Sequence, residues 1–180
     1  MENQATSTQR EPGILTGLFN DKETSESAYK SLRDRGYSDD EINVIMSDDT
    51  RKKYYANDAS SELGSKAAEG TGVGGLIGGT LGAVIAGVAA IGTNLVLPGL
   101  GLVVWGPLAA ALAGAGAGGL AGGLVGALVG WGIPEDRAVI YENGIKNGGT
   151  VLGVKPRSTE DAEALENDWK TNHRGQEIYR

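Results

Sequence analysis

The chain has no cysteine and one histidine, His173, in 180 residues. Without cysteine there are no disulfides, no thiolate nucleophiles and no sulfur ligands for a metal. A lone histidine cannot form a histidine cluster. Basic excess is missing too: the net charge is −7, which argues against a nucleic-acid footprint. No G-x-x-x-x-G-K-[ST] phosphate loop is present. Residues Met1 to Pro12 are polar and hold no apolar core, so no secretory signal is expected and the protein should stay on the cytoplasmic side. The longest absence is of charge. From Gly70 to Pro134 there is no Asp, Glu, Lys, Arg or His, and charge resumes at once with Glu69 before and Glu135 after.

That uncharged stretch is built from Gly, Ala, Leu and Val. Thr71 to Ile91 would make a helix about 31 Å long and Pro107 to Trp131 one of about 37 Å, at ~1.5 Å per residue. A bilayer core of roughly 30 Å can be crossed by either. Pro98-Gly99 lies between them and carries turn chemistry, so a helical hairpin joined through Gly92 to Gly106 is expected. Small residues recur every fourth position. One line is Gly74, Gly78 and Gly82, and another is Gly114, Gly118, Gly122, Gly126 and Gly130. Residues four apart share a helix face, and such small-residue stripes let two helices approach closely. These eight glycines are the expected helix-packing residues of a glycine zipper.

Two settings suit the hairpin. In a membrane, all Lys and Arg lie in the flanks, so both termini should be cytoplasmic; Trp105 and Trp131 would then sit at helix ends near the interface. Leu, Ile and Val drive insertion only weakly, by about 0.3–0.6 kcal/mol each. The alternative is a cytoplasmic homo-oligomer in which hairpins bury one another and the tryptophans pack against the rest of the protein.

The flanks read as α+β. Residues 1–12 form a disordered tail. Residues 13–47 give a β-α-β unit: a strand to Phe19, a helix from about Lys22 to Arg35 stopped by Gly36, and a strand Ile42 to Met46. Residues 48–69 are a polar connector. In it, Arg51-Lys52-Lys53 reads as a solvated basic face or a contact for anionic headgroups. The hairpin occupies 70–133. Residues 134–180 hold a helix opened by Pro134-Glu135-Asp136, a strand Thr150 to Val154, a helix from Glu160 to about Asn172, and a short last strand at Gln176 to Tyr179. An internal echo aligns Gly17 with Gly153, Ala28 with Ala164 and Tyr29 with Leu165. Two such halves predict a ferredoxin-like β-α-β sandwich, split by the inserted Gly/Ala-rich helical hairpin.

Catalytic patterns are missing. Nominal G-x-G-x-x-G matches within the Gly-rich stretch lack the single strand-to-helix turn and the acidic partner of a dinucleotide site. Asp39, Asp40 and Glu41, like Asp48 and Asp49, lack EF-hand spacing and read as solvated turns. His173 reads as an exposed helix-end residue. No catalytic residue, metal site or cofactor is expected, and the chain does not read as an enzyme. No small-molecule ligand is identifiable; a second copy of the chain and membrane lipid are the expected partners.

Several segments together carry a resemblance. They are Gly17-Leu18-Phe19-Asn20-Asp21, Gly36-Tyr37-Ser38-Asp39-Asp40-Glu41-Ile42, Gly132-Ile133-Pro134-Glu135, Tyr141-Glu142-Asn143-Gly144-Ile145 and Gly148-Gly149-Thr150-Val151-Leu152. With the Gly/Ala hairpin between them, the chain resembles the bacterial heat-induced and general stress proteins, including their cyanobacterial low-temperature-induced relatives. The resemblance implies a stress-induced, non-enzymatic protein. It supplies no catalytic residue and no ligand.

Overall fold

A computed structural model describes residues 13–55, 63, 94–97, 100–112 and 122–180. Strand β1 (Leu15–Phe19) leads to helix α1 (Lys22–Asp34), which starts where the Asp21 carboxylate accepts the Thr24 N–H at 2.9 Å. Such a cap is worth about 1 kcal/mol. The chain turns at Gly36, whose φ of +85° suits glycine, and enters β2 (Ile42–Ser47). Ser47 caps α2 (Asp48–Tyr54), accepting from Thr50 N at 3.0 Å. Strands β3 (Asn94–Leu97) and β4 (Leu102–Trp105) follow, then a helical segment over 107–112 and helices α3 (Gly123–Gly130) and α4 (Glu135–Lys146). The chain finishes with β5 (Thr150–Val154), α5 (Thr159–Thr171) and β6 (Gln176–Tyr179).

The strands form one antiparallel sheet in the order β3-β4-β2-β5-β1-β6. Alternation along each strand sends successive side chains to opposite faces. Leu15, Phe19, Val44, Met46, Leu152 and Val154 meet Tyr29 and Leu32 of α1 and Leu165 and Trp169 of α5. On the other face, Leu18, Ile45, Val104 and Val151 meet Leu128 of α3 and Tyr141 and Ile145 of α4. The domain is therefore mixed α/β with three layers, and helices cover both sides of the sheet.

This arrangement corrects the helical hairpin. The connection expected between two long helices instead holds β3 and β4. They pair with each other and add to the edge of β2, and Leu100 N–H donates to Leu97 O at 3.0 Å. Leu95-Val96-Leu97 and Leu102-Val103-Val104-Trp105 are short apolar runs in which three valines and a tryptophan favour a half-buried pleat. Nor is 107–131 one helix. Gly123, where α3 begins, has φ +62°, outside the right-handed helical region, so no single helix runs from 107 to 131. Among the described residues no helix is long and apolar enough to cross a membrane. Leu108, Leu112, Leu124 and Leu128 are buried in the core instead. The expected helix Thr71 to Ile91, with Gly74, Gly78 and Gly82, lies outside the described residues, as do Gly114 and Gly118 and the tail 1–12.

Trp105 is no helix-end anchor: it is 2% exposed in the α1/α5 core. Trp131 packs partly buried against the opposite core, and its ring lies on Gly153, where an added Cβ would come within 2.6 Å of the indole. Gly106 is just as constrained. Its φ is +92°, and a Cβ there would sit 2.2 Å from Ile42 O. Beside it the buried Asn43 accepts from Leu108 N at 2.6 Å and donates to Gly153 O at 3.3 Å. One side chain thus fastens the start of the 107–112 segment to β2 and β5.

The internal echo does not hold at the aligned positions. Gly17 faces Trp169 and Gly153 faces Trp131, on opposite sides of the sheet. Ala28 is buried while Ala164 is exposed. Matching the two N-caps, Asp21 and Ser158, puts Ala28 on Leu165 and Leu32 on Trp169, all buried against one face.

Candidate functional site

The polar connector begins as helix α2, and its basic run is not a uniformly solvated face. Arg51 is buried against Asp48 at 2.7 Å, the exposed Lys52 reaches the same carboxylate at 2.6 Å, and Lys53 holds its ammonium 4.7 Å from the Tyr54 ring centre. Burial alone would raise the Asp48 carboxyl; the two cations hold it below its ordinary value instead. The Asp48 N–H donates to Gly101 O at 2.8 Å. This bond fixes the turn between β3 and β4 against the start of α2.

That junction frames a cleft of about 520 Å³. Its floor is apolar, made by Leu102, Leu124 and Ile145. On its wall the hydroxyls of Ser47 and Thr50 lie 2.8 Å apart, with Thr50 buried. The amides of Asn20 and Asn147 and the charges of Asp49, Lys53, Glu142 and Lys146 complete the lining, and Lys146 pairs with Glu142 at 3.2 Å. Tyr54 and Leu100 are the exposed apolar groups at the lining. Sequence reasoning missed this site because its parts come from five separate segments. Of its residues, Asp49 and Lys53 read only as part of an acidic turn and of a basic run.

Three of the expected helix-packing glycines are described. Gly122 and Gly130 are exposed and Gly126 is half-buried. Among the described residues a methyl at Gly126 or Gly130 would meet nothing within 4 Å, whereas one at Gly122 would press on Gly126 Cα at 2.9 Å. Beside them Val129 is 42% exposed, and on α4 Val139 and Ile140 are exposed as well. This outer face therefore combines open glycines with apolar side chains.

His173 corrects a second expectation: it is 9% exposed rather than a free helix end. Its Nδ1 lies 2.8 Å from Ser27 Oγ on α1, and its Nε2 lies 3.4 Å from Asp168 Oδ2 on α5. Burial works to raise the Asp168 carboxyl, but the Asn172 amide, His173 and Arg35 hold it below its ordinary value. The residue types are those of a hydrolytic triad, but Ser27 lies mid-helix and none of the three lines the cleft. The cluster joins the two helices of one layer. Across the sheet, Tyr141 OH donates to Glu177 O at 2.7 Å and lies 2.9 Å from Thr16 Oγ1. Burial pushes the Tyr141 phenol up to about 12, and does the same for Tyr55. Among the described residues no group of three or more His, Asp or Glu could hold a metal ion.

Comparison with family models, curated proteins and solved structures finds no match to this chain.

Proposed function

We propose that this chain is a non-enzymatic stress-response protein that assembles with further copies of itself through its Gly/Ala-rich layer, built on a ferredoxin-like sandwich. The sandwich reading rests on strand order. The four strands β2-β5-β1-β6 interleave two β-α-β halves with β5 between β1 and β2, as that motif requires. The stress reading rests on the resemblance described above. The observation that carries assembly is the outer face of α3. Its inner side chains, Leu124 and Leu128, are buried on the sheet, while Gly126 and Gly130 stand open beside exposed Val129. A second helix can approach such a face at backbone distance, and exposed contiguous apolar surface marks interaction sites.

The test is the mass of the full chain by light scattering without detergent, for the native protein and for Gly126→Leu and Gly130→Leu. A discrete oligomer that falls to a smaller species, with circular dichroism unchanged, supports assembly through α3. An oligomer of unchanged mass in both variants refutes it.

A further inference from the structure

We propose that the cleft between α2, the β3–β4 turn and the end of α4 binds a small, neutral, hydroxyl-rich molecule of sugar or polyol type. Its volume of about 520 Å³ falls within the roughly 300–1,000 Å³ of small-molecule sites, which combine an apolar lining with a few placed polar groups. The inference is independent of self-assembly, because it uses none of the α3 glycines.

The chemistry of the lining selects the ligand class. The charges cancel, with Lys53 and Lys146 against Asp49 and Glu142. Lys146 is already paired with Glu142 at 3.2 Å, and Lys53 rests on the Tyr54 ring. A net-charged ligand would meet both signs and gain little over water. The neutral hydroxyls lie deeper. Ser47 Oγ accepts the Thr50 N–H at 3.0 Å and shares one hydrogen with Thr50 Oγ1 at 2.8 Å. A hydroxyl carries one donor and two acceptor sites, so this pair retains one O–H and free lone pairs. Asn20 and Asn147 each add a carbonyl acceptor and an amide donor. Such a set of mixed donors and acceptors matches vicinal hydroxyls, which also donate and accept. Leu102, Leu124 and Ile145 beneath, and the Tyr54 ring, suit the C–H face of a sugar ring. Simple apolar ligands are disfavoured, since they would leave the remaining O–H and lone pairs of the Ser47–Thr50 pair without water or a further partner.

The test is saturation-transfer difference NMR on the full chain with maltose as probe, and with sodium phosphate as an anionic and glycine as a zwitterionic competitor. The expected result is transfer from the protein to the ring C–H protons of maltose, undiminished by phosphate or glycine. Thr50→Val removes one wall hydroxyl and keeps its shape; Tyr54→Ala removes an exposed ring outside the packed core. Each should weaken maltose binding about tenfold while circular dichroism stays native. The proposal is overturned if maltose receives no transfer. It is equally overturned if transfer survives both substitutions, or if phosphate or glycine displaces the probe at equal concentration.

Discussion

Replacing Tyr141 with phenylalanine removes one oxygen from the boundary between α4 and the sheet. That oxygen donates to Glu177 O at 2.7 Å and accepts from Thr16, whose hydroxyl lies 2.9 Å away. The two partners lose unequally. Glu177 is on the edge strand β6, where its carbonyl can turn to water. Thr16 is 0% exposed, so its hydroxyl loses this partner in the dark interior of the sheet. Leaving a buried polar group unpaired costs roughly 1–3 kcal/mol, so Tyr141→Phe should destabilise by about 2 kcal/mol. Thr16→Val should cost less, because the Tyr141 O–H still donates to Glu177 O. When both are changed, the two apolar groups face one another and no orphan remains. The double variant should then be more stable than the sum of the singles by about 1 kcal/mol or more, as coupled neighbours are. Urea unfolding at neutral pH, followed by far-UV circular dichroism with all four proteins, measures this directly. Strict additivity, or a Tyr141→Phe protein within about 0.5 kcal/mol of the parent, would refute the reasoning.

Other perturbations probe the same layers. Gly153→Ala drives a methyl to within 2.6 Å of the Trp131 indole; overpacking of this kind costs typically 1–3 kcal/mol. Trp131→Ala introduced first should remove most of that penalty, as read from urea midpoints. Alkali should unfold the protein earlier than the loss of ordinary surface charge would. Tyr55 and Tyr141 hold their protons to about 12, against a value of 10.0 in the unfolded chain. Their contribution is fully present below pH 10 and lost as the pH rises through about 12, by up to roughly 2–3 kcal/mol for each phenol. Stability followed between pH 9 and 12 should fall less steeply in Tyr141→Phe; equal slopes would count against a buried, protonated phenol.

The flanks were largely legible because local signals and tertiary packing agree there. Asp21 and Ser158 sit where cap residues belong, Gly36 closes a helix with positive φ, and the α1 and α5 periodicities point their apolar faces at one sheet surface. The echo between the halves was visible, but two glycines drew it out of register. Matching Gly17 with Gly153 pairs residue types, whereas the fold pairs caps and buried positions. The central stretch was less legible for a physical reason. A residue buried on a sheet and a residue facing lipid share one composition, and periodicity cannot separate short strands from helix when nearly every position is small or apolar. Leu95 to Leu97 and Leu102 to Trp105 were therefore read as connection, although their pairing with β2 gives them a place in the sheet. The cleft had no local signature at all, because only the fold brings Asn20, Thr50, Leu102 and Asn147 together.

The position of β5 has a consequence for how the chain is made. Strands β1 and β2 never touch; each is joined to the other only through β5. Until β5 has left the ribosome, β1 has no strand to pair with, although β2 can already pair with β4. The long uncharged stretch is synthesised in that interval, before the surface that Leu124 and Leu128 cover is complete. Non-local pairing of this kind folds slowly and leaves apolar surface waiting. Synthesis therefore passes through a window in which that apolar surface stays uncovered, and the window begins to close with the emergence of one five-residue strand.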